Sequence, residues 1–254
     1  MTAGSDVRNR AQTRMNAIPQ RRAVILAGGL GTRLRPYTVS LPKPLMPVGE
    51  YPILEIIVRQ LARAGFGHIT LAVNHQAELM RAYFGDGARW GVHIDYSLET
   101  QPLSTMGPLR LIPDLPAHFL VMNGDILSDV DYATFLDSHA EHEHLFTVSA
   151  SRRLEKIDYG VLHVGDSGRL SGFEEKPALP YLVSMGIYAV SARVIDFIPP
   201  NQAFGFDHLI LRLLAEGQPV EVKPHAGYWS DIGRPDDYQR AVEDWPELRV
   251  TLGL

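Results

Sequence analysis

The sequence of 254 residues contains no cysteine. This absence excludes disulfides, thiolate metal sites and thiol nucleophiles together, and it leaves carboxylates and histidines as the side chains that could hold a metal. The chain also has no apolar run near the ~20 residues that span a bilayer. Residues 1–20 lack the apolar segment of a signal peptide, so the sequence predicts a cytoplasmic protein with no membrane partner.

A basic excess is missing as well, because 24 lysine and arginine residues face 29 aspartate and glutamate residues and the net charge is -5. A protein that binds nucleic acid through many phosphates needs a positively charged surface, so we expect no nucleic-acid partner. A few local cations can still hold a small anionic ligand. The composition, with 45% hydrophobic residues, is that of a globular chain long enough to bury a full core.

The hydrophobic pattern predicts where the fold begins and how it is layered. Residues 1–20 are polar without a helical or strand period, and we expect them to be a disordered tail. The apolar run Ala23–Ala27 then predicts a strand that is buried on both faces. Strand and helix patterns alternate to about residue 150, whereas several strands with few helices follow Ser151.

We therefore predict an α/β fold with a Rossmann-like three-layer α/β/α arrangement. Its sheet is expected to be mixed and mainly parallel, with antiparallel additions in the second half. Residues 21–254 are expected to form a single domain with halves of about 21–150 and 151–254. The predicted strands are 23–27, 68–73, 93–97, 119–122, 160–164, 170–175 and 182–190, and the predicted helices are 53–64, 76–84, 107–111, 192–198 and 207–215.

A glycine-rich turn follows the first predicted strand and has the sequence GGLGTR at 28–33. Glycine lets backbone N–H groups approach phosphate oxygens without interference from a Cβ atom, and Arg33 could then stabilise negative charge there. A tight turn with a solvent-exposed arginine is the alternative. The lysine of a Walker loop and the glycine spacing of a dinucleotide-binding turn are both absent, so neither an ATPase nor a dehydrogenase is supported.

Lys43 lies between two prolines, ten residues after Arg33. Pro42 and Pro44 restrict the backbone on both sides, which indicates that the position of the lysine side chain matters. An exposed loop lysine is the alternative when this segment is taken alone. The glycine turn and Arg33 favour the other interpretation, in which Lys43 is a second cation at an anion-binding site.

An acid follows the predicted strand 119–122, in the sequence Asn123-Gly124-Asp125. The carboxyl ends of strands in an open α/β sheet face the ligand crevice, where a carboxylate can hold Mg²⁺. A turn-capping aspartate is the alternative. We interpret Asp129 and Asp131 as solvated residues or the start of a helix. The histidines at 139, 142 and 144 are interpreted as a solvated polar segment instead of a metal site.

The two cationic segments together resemble a known signature. The sequences LAGGLGTRL at 26–34 and KPL at 43–45 resemble the sugar-1-phosphate nucleotidylyltransferases, and most of all the mannose-1-phosphate guanylyltransferase-like group. No hexapeptide repeats follow up to Leu254, which implies a short form without the C-terminal β-helix. The resemblance implies that Arg33 and Lys43 are catalytic. It assigns nucleotide binding to Leu26, Ala27, Gly28, Gly29, Gly31, Thr32 and Arg33.

Later segments extend the resemblance to an acceptor site. The sequence WSDIG at 229–233 resembles a family pattern whose aspartate is a second metal ligand, which implies that Asp231 joins Asp125 on Mg²⁺. The sequence EKP at 175–177 resembles a motif that binds the sugar and its phosphate, although a surface ion pair is the alternative. The substrate-binding residues implied in this way are Asn123, Gly124, Tyr159, Gly160, Glu175, Lys176 and Ser184.

The nucleobase site is implied by the segment ETQPLSTMG at 99–107, which resembles a family stretch E-x-x-P-L-G-T-A-G. Ser104 and Met106 differ from that stretch, and relatives often have asparagine where this chain has Ser184. The implied base-side residues are Glu99, Pro102, Thr105 and Gly107.

The resemblance implies an enzyme that makes an NDP-sugar and pyrophosphate from a nucleoside triphosphate and a sugar 1-phosphate. GTP and a hexose- or heptose-type phosphate are the expected substrates, and a homodimer is compatible with the sequence. The alternatives are uridylyl, cytidylyl or thymidylyl transfer to another sugar or cyclitol phosphate. A catalytically silent regulatory subunit of the same fold is a further alternative.

Overall fold

The computed structural model describes residues 21–29, 31–74 and 77–254, and the predicted disordered tail lies outside them. In chain order the strands are β1 (Arg21–Leu26), β2 (Pro47–Val48), β3 (Tyr51–Pro52), β4 (Phe66–Val73), β5 (His93–Leu98), β6 (His118–Asn123), β7 (Ile126–Ser128), β8 (Phe146–Lys156), β9 (Gly160–Val164), β10 (Leu170–Glu175), β11 (Ala178–Ser191), β12 (Val220–His225) and β13 (Trp229–Asp231). The α-helices are α1 (Ile53–Arg63), α2 (Ala77–Phe84), α3 (Tyr132–Glu141), α4 (Phe206–Ala215), α5 (Pro235–Glu243) and α6 (Trp245–Thr251). Short 3-10 helices lie at Thr32–Leu34, Tyr37–Val39, Lys43–Leu45, Ala88–Trp90, Gly107–Leu111 and Ala192–Phe197.

Seven of the described strands form the central sheet, in the order β12-β8-β11-β6-β1-β4-β5. The strands β6, β1, β4 and β5 are parallel, and β12 is parallel to β8. Strand β11 is antiparallel to both of its neighbours. The predicted mixed, mainly parallel sheet with an antiparallel addition in the second half is confirmed. Because β1, β4, β5 and β6 end at the same edge of the sheet, the loops that follow them share one crevice.

Each face of the sheet carries its own apolar core, because successive side chains of a strand point to opposite faces. In β1, Ala23 and Ile25 pack on one face and Val24 packs on the other. The helices α1, α2, α3, α5 and α6 cover the first face. Helix α4 and the segment Gly107–Leu111 cover the second face. The predicted three layers, and the burial of the first strand on both faces, are confirmed.

Several elements of the second half differ from the predicted ones. Strands β8 and β12 were not among the predicted strands, because neither carries a continuous apolar run and both are exposed over much of their length. The predicted helix 192–198 is a 3-10 helix over Ala192–Phe197. The predicted helix 76–84 begins at Ala77, and Gln76 lies outside the described residues. Among the helices of the described residues, none combines the length and apolarity needed to cross a bilayer.

A surface arm extends from the antiparallel part of the sheet. Strands β8 and β11 pair from Ala178 opposite Lys156 to Val190 opposite Phe146, with a register shift between Ser184 and Tyr188. The hairpin β9–β10 follows β8 and is exposed on most of its residues. We call this hairpin, together with the exposed halves of β8 and β11, the arm. Its strands are held by ladder hydrogen bonds more than by buried apolar area.

His139 lies in the core, which corrects the interpretation of the three histidines as a solvated segment. On α3, Tyr132, Phe135, Leu136 and His139 share one buried face because they recur at i, i+3, i+4 and i+7. His139 is only 1% exposed, and its Nδ1 lies 2.8 Å from the Thr147 hydroxyl. Burial lowers the pKa of His139 to about 3, and the nearby charges of His118, His144 and Arg193 act in the same direction.

The buried imidazole of His139 makes stability depend on pH. Unfolding returns its pKa to about 6.5, so the unfolded chain binds a proton that the folded chain does not bind. The free energy of unfolding therefore falls as the pH drops below 6.5. We expect the free energy of unfolding at pH 5 to be about 2 kcal/mol lower than at pH 7.5 from this group alone. Urea unfolding at both pH values measures the difference.

Two variants isolate this contribution of His139. In His139→Gln the pH-dependent loss should shrink by about 2 kcal/mol, because no proton is taken up at this position. The matched control is His142→Gln, whose side chain is exposed on the same segment, and it should keep the full loss. An unchanged pH dependence in His139→Gln would contradict the assignment.

Candidate active site

A cavity of about 470 Å³ opens at the carboxyl ends of the parallel strands. The glycine turn after β1, the segment after β5 and the turn after β6 surround it. Its lining includes ten of the residues predicted to bind nucleotide, substrate or metal, together with Lys43, which was predicted to be catalytic. The lining residues are Leu26, Ala27, Gly28, Gly29, Lys43, Pro44, Asn74, Glu99, Thr100, Gln101, Pro102, Ser104, Thr105, Pro108, Asn123, Gly124 and Asp125.

The glycine turn is held against the cavity by polar contacts. The Asn74 side-chain amide donates to the carbonyl of Gly28. A Cβ atom on Gly28 would lie 2.8 Å from Oε1 of Glu99, so no larger residue fits there without displacing that carboxylate. At Gly31 the backbone has φ +59°, and the Thr38 hydroxyl donates to its carbonyl at 2.7 Å. The turn therefore presents backbone to the cavity where a phosphate would approach.

Lys43 is buried, and its ammonium points at two carboxylates. The lysine opens a 3-10 helix directly after Pro42, and its side chain is only 9% exposed. Its Nζ donates to Oδ2 of Asp125 and lies 4.0 Å from Oδ1 of Asp231. An exposed loop lysine is therefore the wrong interpretation of this segment.

Two short strands bring the carboxylates together from distant parts of the chain. Strand β7 follows Asp125, strand β13 ends at Asp231, and the two pair antiparallel with Asp231 opposite Ile126. The N–H of Ile232 donates to the carbonyl of Asp125 at 3.0 Å. The pairing fixes both backbones, so the two side chains face the same ammonium group.

The electrostatics of this pair favour a cation. Burial raises the pKa of Asp231, the charge of Asp125 raises it further, and Lys43 and Arg33 act in the opposite direction. Oδ1 of Asp125 and Oδ1 of Asp231 are both buried without a hydrogen-bond partner. Buried carboxylate oxygens that lack partners are costly unless a cation or donor reaches them. The donor set of two carboxylates suits a hard divalent ion such as Mg²⁺.

Arg33 lies in a second cleft of about 350 Å³ that begins at Asp231. The 3-10 helix Thr32–Leu34 places its side chain at the surface, where Arg153 and Arg234 line the same cleft. The Arg153 guanidinium stacks over the Trp229 ring, 4.8 Å from its centroid. With Arg240, four arginines thus line the cleft that adjoins the buried carboxylate pair. Arg153 and Arg234 were not predicted, because no motif marks them in the sequence.

Glu99 is an acidic side chain that lines the first cavity. Its Oε2 accepts from the N–H of Leu103 at 3.1 Å. Burial raises the pKa of Glu99, and the Leu103 hydrogen bond only partly offsets this effect. Asn74, which sequence reasoning missed, follows β4 at the same edge of the sheet. Its place after a predicted parallel strand was the signal that could have identified it.

Of the predicted acceptor residues, Asn123 and Gly124 line the first cavity, and the other five lie on or next to the arm. Gly160 pairs with Glu175 across β9 and β10, and Lys176 follows with a left-handed φ of +45°. Tyr159 is 79% exposed. None of these four residues lines the two cavities described above. Ser184 donates to the Tyr188 hydroxyl at 3.2 Å, at the register shift of β11.

Besides Arg33, three predicted nucleotide-binding residues lie outside the first cavity. Thr32 is exposed at the start of its 3-10 helix, and Gly31 is half-buried next to it. Gly107 is buried, its N–H donates to the carbonyl of Phe204, and a Cβ atom there would lie 2.9 Å from Leu103. The glycine is needed for packing at this position. Its role toward a nucleobase stays a prediction.

Comparison with known proteins shows the family of the chain. The profile of the family described as Nucleotidyl transferase matches residues 22–247. The chain belongs to this family. It is similar to the UTP–glucose-1-phosphate uridylyltransferase of Synechocystis, with 34% identity over 241 residues that cover 87% of this chain and 62% of the relative. It is also similar to the mannose-1-phosphate guanylyltransferase of Mycobacterium tuberculosis, with 33% identity that covers 87% of this chain and 64% of the relative.

A solved structure is similar to the chain in fold. HddC from Yersinia pseudotuberculosis superposes with a TM-score of 0.68 at 26% identity, covering 89% of this chain and 99% of HddC. HddC in complex with GMP-PN matches with the same TM-score and identity. The nucleotidyl transferase chain spans less than two thirds of the length of the two enzymes from Synechocystis and Mycobacterium tuberculosis.

Proposed function

We propose that this nucleotidyl transferase joins a sugar 1-phosphate to GTP and releases pyrophosphate. The observation that carries the proposal is the buried group of Lys43, Asp125 and Asp231 next to the glycine-turn cavity. A cavity lined by a glycine turn, beside an ammonium and two carboxylates, suits a reaction between two anionic substrates. The relatives that transfer guanylyl and uridylyl groups to sugar 1-phosphates support the reaction class.

Glu99 supports guanine as the base. An ionised carboxylate only accepts hydrogen bonds, and the Watson–Crick edge of guanine offers two adjacent donors, N1–H and the N2 amino group. Uracil and thymine offer one N–H donor flanked by two carbonyl oxygens, which a carboxylate would repel. Cytosine and adenine present an unprotonated ring nitrogen at the same edge. The match with GMP-PN-bound HddC is consistent with this choice.

The reaction needs no general base, because the attacking phosphate oxygen of the acceptor is already an anion. It attacks the α-phosphorus of GTP, the bond to the β-phosphate oxygen breaks, and pyrophosphate leaves in line. Catalysis then rests on positioning two anions that repel each other. Lys43 supplies charge at the reacting phosphate, and Arg33 supplies it on the pyrophosphate side. Glu175 and Lys176 on the arm are proposed to hold the sugar hydroxyls and the sugar phosphate.

Mg²⁺ is the proposed cofactor, held by Asp125 and Asp231. The two partnerless carboxylate oxygens fit such an ion, since both are buried and both belong to the side chains that face Lys43. When bound, the ion would neutralise phosphate charge and orient the phosphates for in-line attack. The roles of Asn123, Gly124, Tyr159, Gly160 and Ser184 toward the acceptor remain proposals of the same kind.

The experiment that tests the proposal is a pyrophosphate-release assay. It crosses ATP, CTP, GTP, UTP and dTTP with hexose and heptose 1-phosphates in the presence of Mg²⁺. We expect GTP to give the highest kcat/KM. A preference for UTP, CTP or dTTP would reject guanine but keep the reaction class, whereas failure of all pairs would favour a silent regulatory subunit.

Glu99→Gln tests the base assignment directly. Glutamine has an amide that both donates and accepts, so it pairs less well with the two donors of guanine and better with uracil. We expect kcat/KM for GTP to fall by about 10-fold to 100-fold, the effect of one charge-assisted hydrogen bond. The ratio of UTP to GTP turnover should rise. Glu141→Gln, an exposed site at the end of α3, is the matched control.

The same variant separates base recognition from fold damage. Because burial raises the pKa of Glu99, KM for GTP in the wild-type enzyme should rise as the pH falls towards that raised pKa. Glu99→Gln carries no titrating group here and should lose this pH dependence. Equal GTP kinetics for Glu99→Gln and the wild-type enzyme would remove the support for guanine.

A further inference from the structure

Three side chains with metal-binding atoms meet on the two strands at one edge of the sheet. They are His68 of β4 and His93 and Asp95 of β5. One ligand atom from each lies within 4.8 Å of the other two. Among the described residues, this is the one group of three such side chains whose ligand atoms all lie close enough together to hold a single ion.

The pairing of the strands creates the cluster. Strands β4 and β5 are parallel, with His68 opposite His93 and Thr70 opposite Asp95. Residues two apart on a strand point to the same face, so the two histidines and Asp95 share one face at neighbouring positions. The cluster therefore depends on regular backbone geometry, and it is not the result of a flexible loop.

Contacts with His68 and Arg22 fix the orientation of the Asp95 carboxylate. Its Oδ2 lies 3.0 Å from Nε2 of His68 and accepts from the Arg22 guanidinium at 3.2 Å. Arg22 is itself buried and also donates to Thr70. The other oxygen, Oδ1, is buried and has no hydrogen-bond partner. A bound cation or an added hydrogen-bond donor would satisfy the oxygen of this oriented carboxylate that has no partner.

We propose that His68, His93 and Asp95 bind a transition-metal ion, with Zn²⁺ as the best match. Two imidazole nitrogens and one carboxylate form a three-ligand zinc set, with water in the fourth position. Zinc ligands in such a site are about 3.3 Å apart, so small side-chain rotations from the present positions suffice. Imidazole ligands favour Zn²⁺, Ni²⁺ or Cu²⁺ over Mg²⁺, which distinguishes this site from the carboxylate pair at Lys43.

The site is separate from the proposed nucleotide site. His68 and His93 lie at the amino-terminal ends of their strands, while the cavity lies beyond Val73 and Leu98 at the carboxyl ends. Five residues of strand at ~3.3 Å each place about 16 Å between the two ends. A bound ion would link the edge strand β5 to β4. Its expected effect is on stability, and it does not rest on the proposed function.

Zinc titration of the full chain tests the inference. Calorimetry at pH 7.5, with excess Mg²⁺ added to compete for any carboxylate site, should show one Zn²⁺ equivalent. A hundredfold excess of Zn²⁺ over its Kd should raise Tm by about 5 °C or more, because the ion binds only the folded chain.

His93→Gln is the decisive variant, because His93 is exposed and its loss leaves the core intact. We expect Zn²⁺ binding to weaken by about tenfold or more, which at the same Zn²⁺ concentration reduces the Tm rise to about half or less of the wild-type value. His163→Gln removes another exposed histidine that pairs with a carboxylate, Glu174, and should bind like the wild type. The inference is overturned if the wild type binds no Zn²⁺, if His93→Gln binds normally, or if His163→Gln loses the ion instead.

Discussion

Asp125→Asn is expected to lower kcat by about 10²-fold to 10³-fold while the fold stays intact, because it removes one carboxylate charge from the reacting centre. Asparagine keeps the size of the side chain, and the backbone carbonyl that accepts from Ile232 is unchanged. The loss should therefore be large in turnover, with a smaller fall in Tm, because the asparagine oxygen can still accept a hydrogen bond from Lys43. Steady-state pyrophosphate release measures the first quantity, and thermal unfolding measures the second.

The chain offers a matched control for Asp125→Asn. Asp131 carries the same side chain and caps helix α3, where asparagine is an equally good cap. Asp131→Asn should therefore keep both turnover and Tm. Near-normal product formation by purified Asp125→Asn would show that this carboxylate has no part in the reaction, and the proposed Mg²⁺ site would then lose its first ligand.

Lys43→Met should have an effect of similar size for a different reason. Methionine keeps most of the buried volume but removes the ammonium that faces Asp125 and Asp231. We expect kcat/KM to fall by about 10²-fold to 10³-fold, the cost of losing one buried electrostatic donor. The free variant should bind Mg²⁺ more tightly than the wild type, since no cation competes for the two carboxylates.

Opposite changes in turnover and metal affinity separate this explanation from unfolding. A misfolded variant would lose both properties, whereas the proposed site predicts a loss of activity and a gain in Mg²⁺ affinity. Calorimetric titration with Mg²⁺ gives the second quantity. Lys223→Met, an exposed change on β12, should alter neither value. A Lys43→Met variant with unchanged turnover would exclude this lysine from catalysis.

The sequence by itself determined the layered architecture and one half of the site. The apolar run of β1 and the alternation of strand and helix patterns depend on neighbours along the chain, so they can be read locally. Gly28 and Asp125 follow the same logic, because the crevice lies where the parallel strands end, whereas Lys43 was predicted from its flanking prolines and the preceding glycine turn. The grouping of Gly28 and Asp125 in one place follows from that rule.

Only the tertiary structure decided which distant residues meet. Asp231 lies close to Asp125 because β13 pairs with β7, and no local sequence pattern specifies that pairing. Without the family resemblance, the sequence favours a turn-capping role for Asp231. His139 is buried because one face of α3 packs on the sheet, which outweighs the polarity of the segment around it. The contact of Glu99 with Gly28 also joins residues that are distant in the sequence. The cluster of His68, His93 and Asp95 likewise depends on the pairing of β4 with β5. Side-chain chemistry is local, whereas the distance between two groups depends on strand pairing across the whole chain.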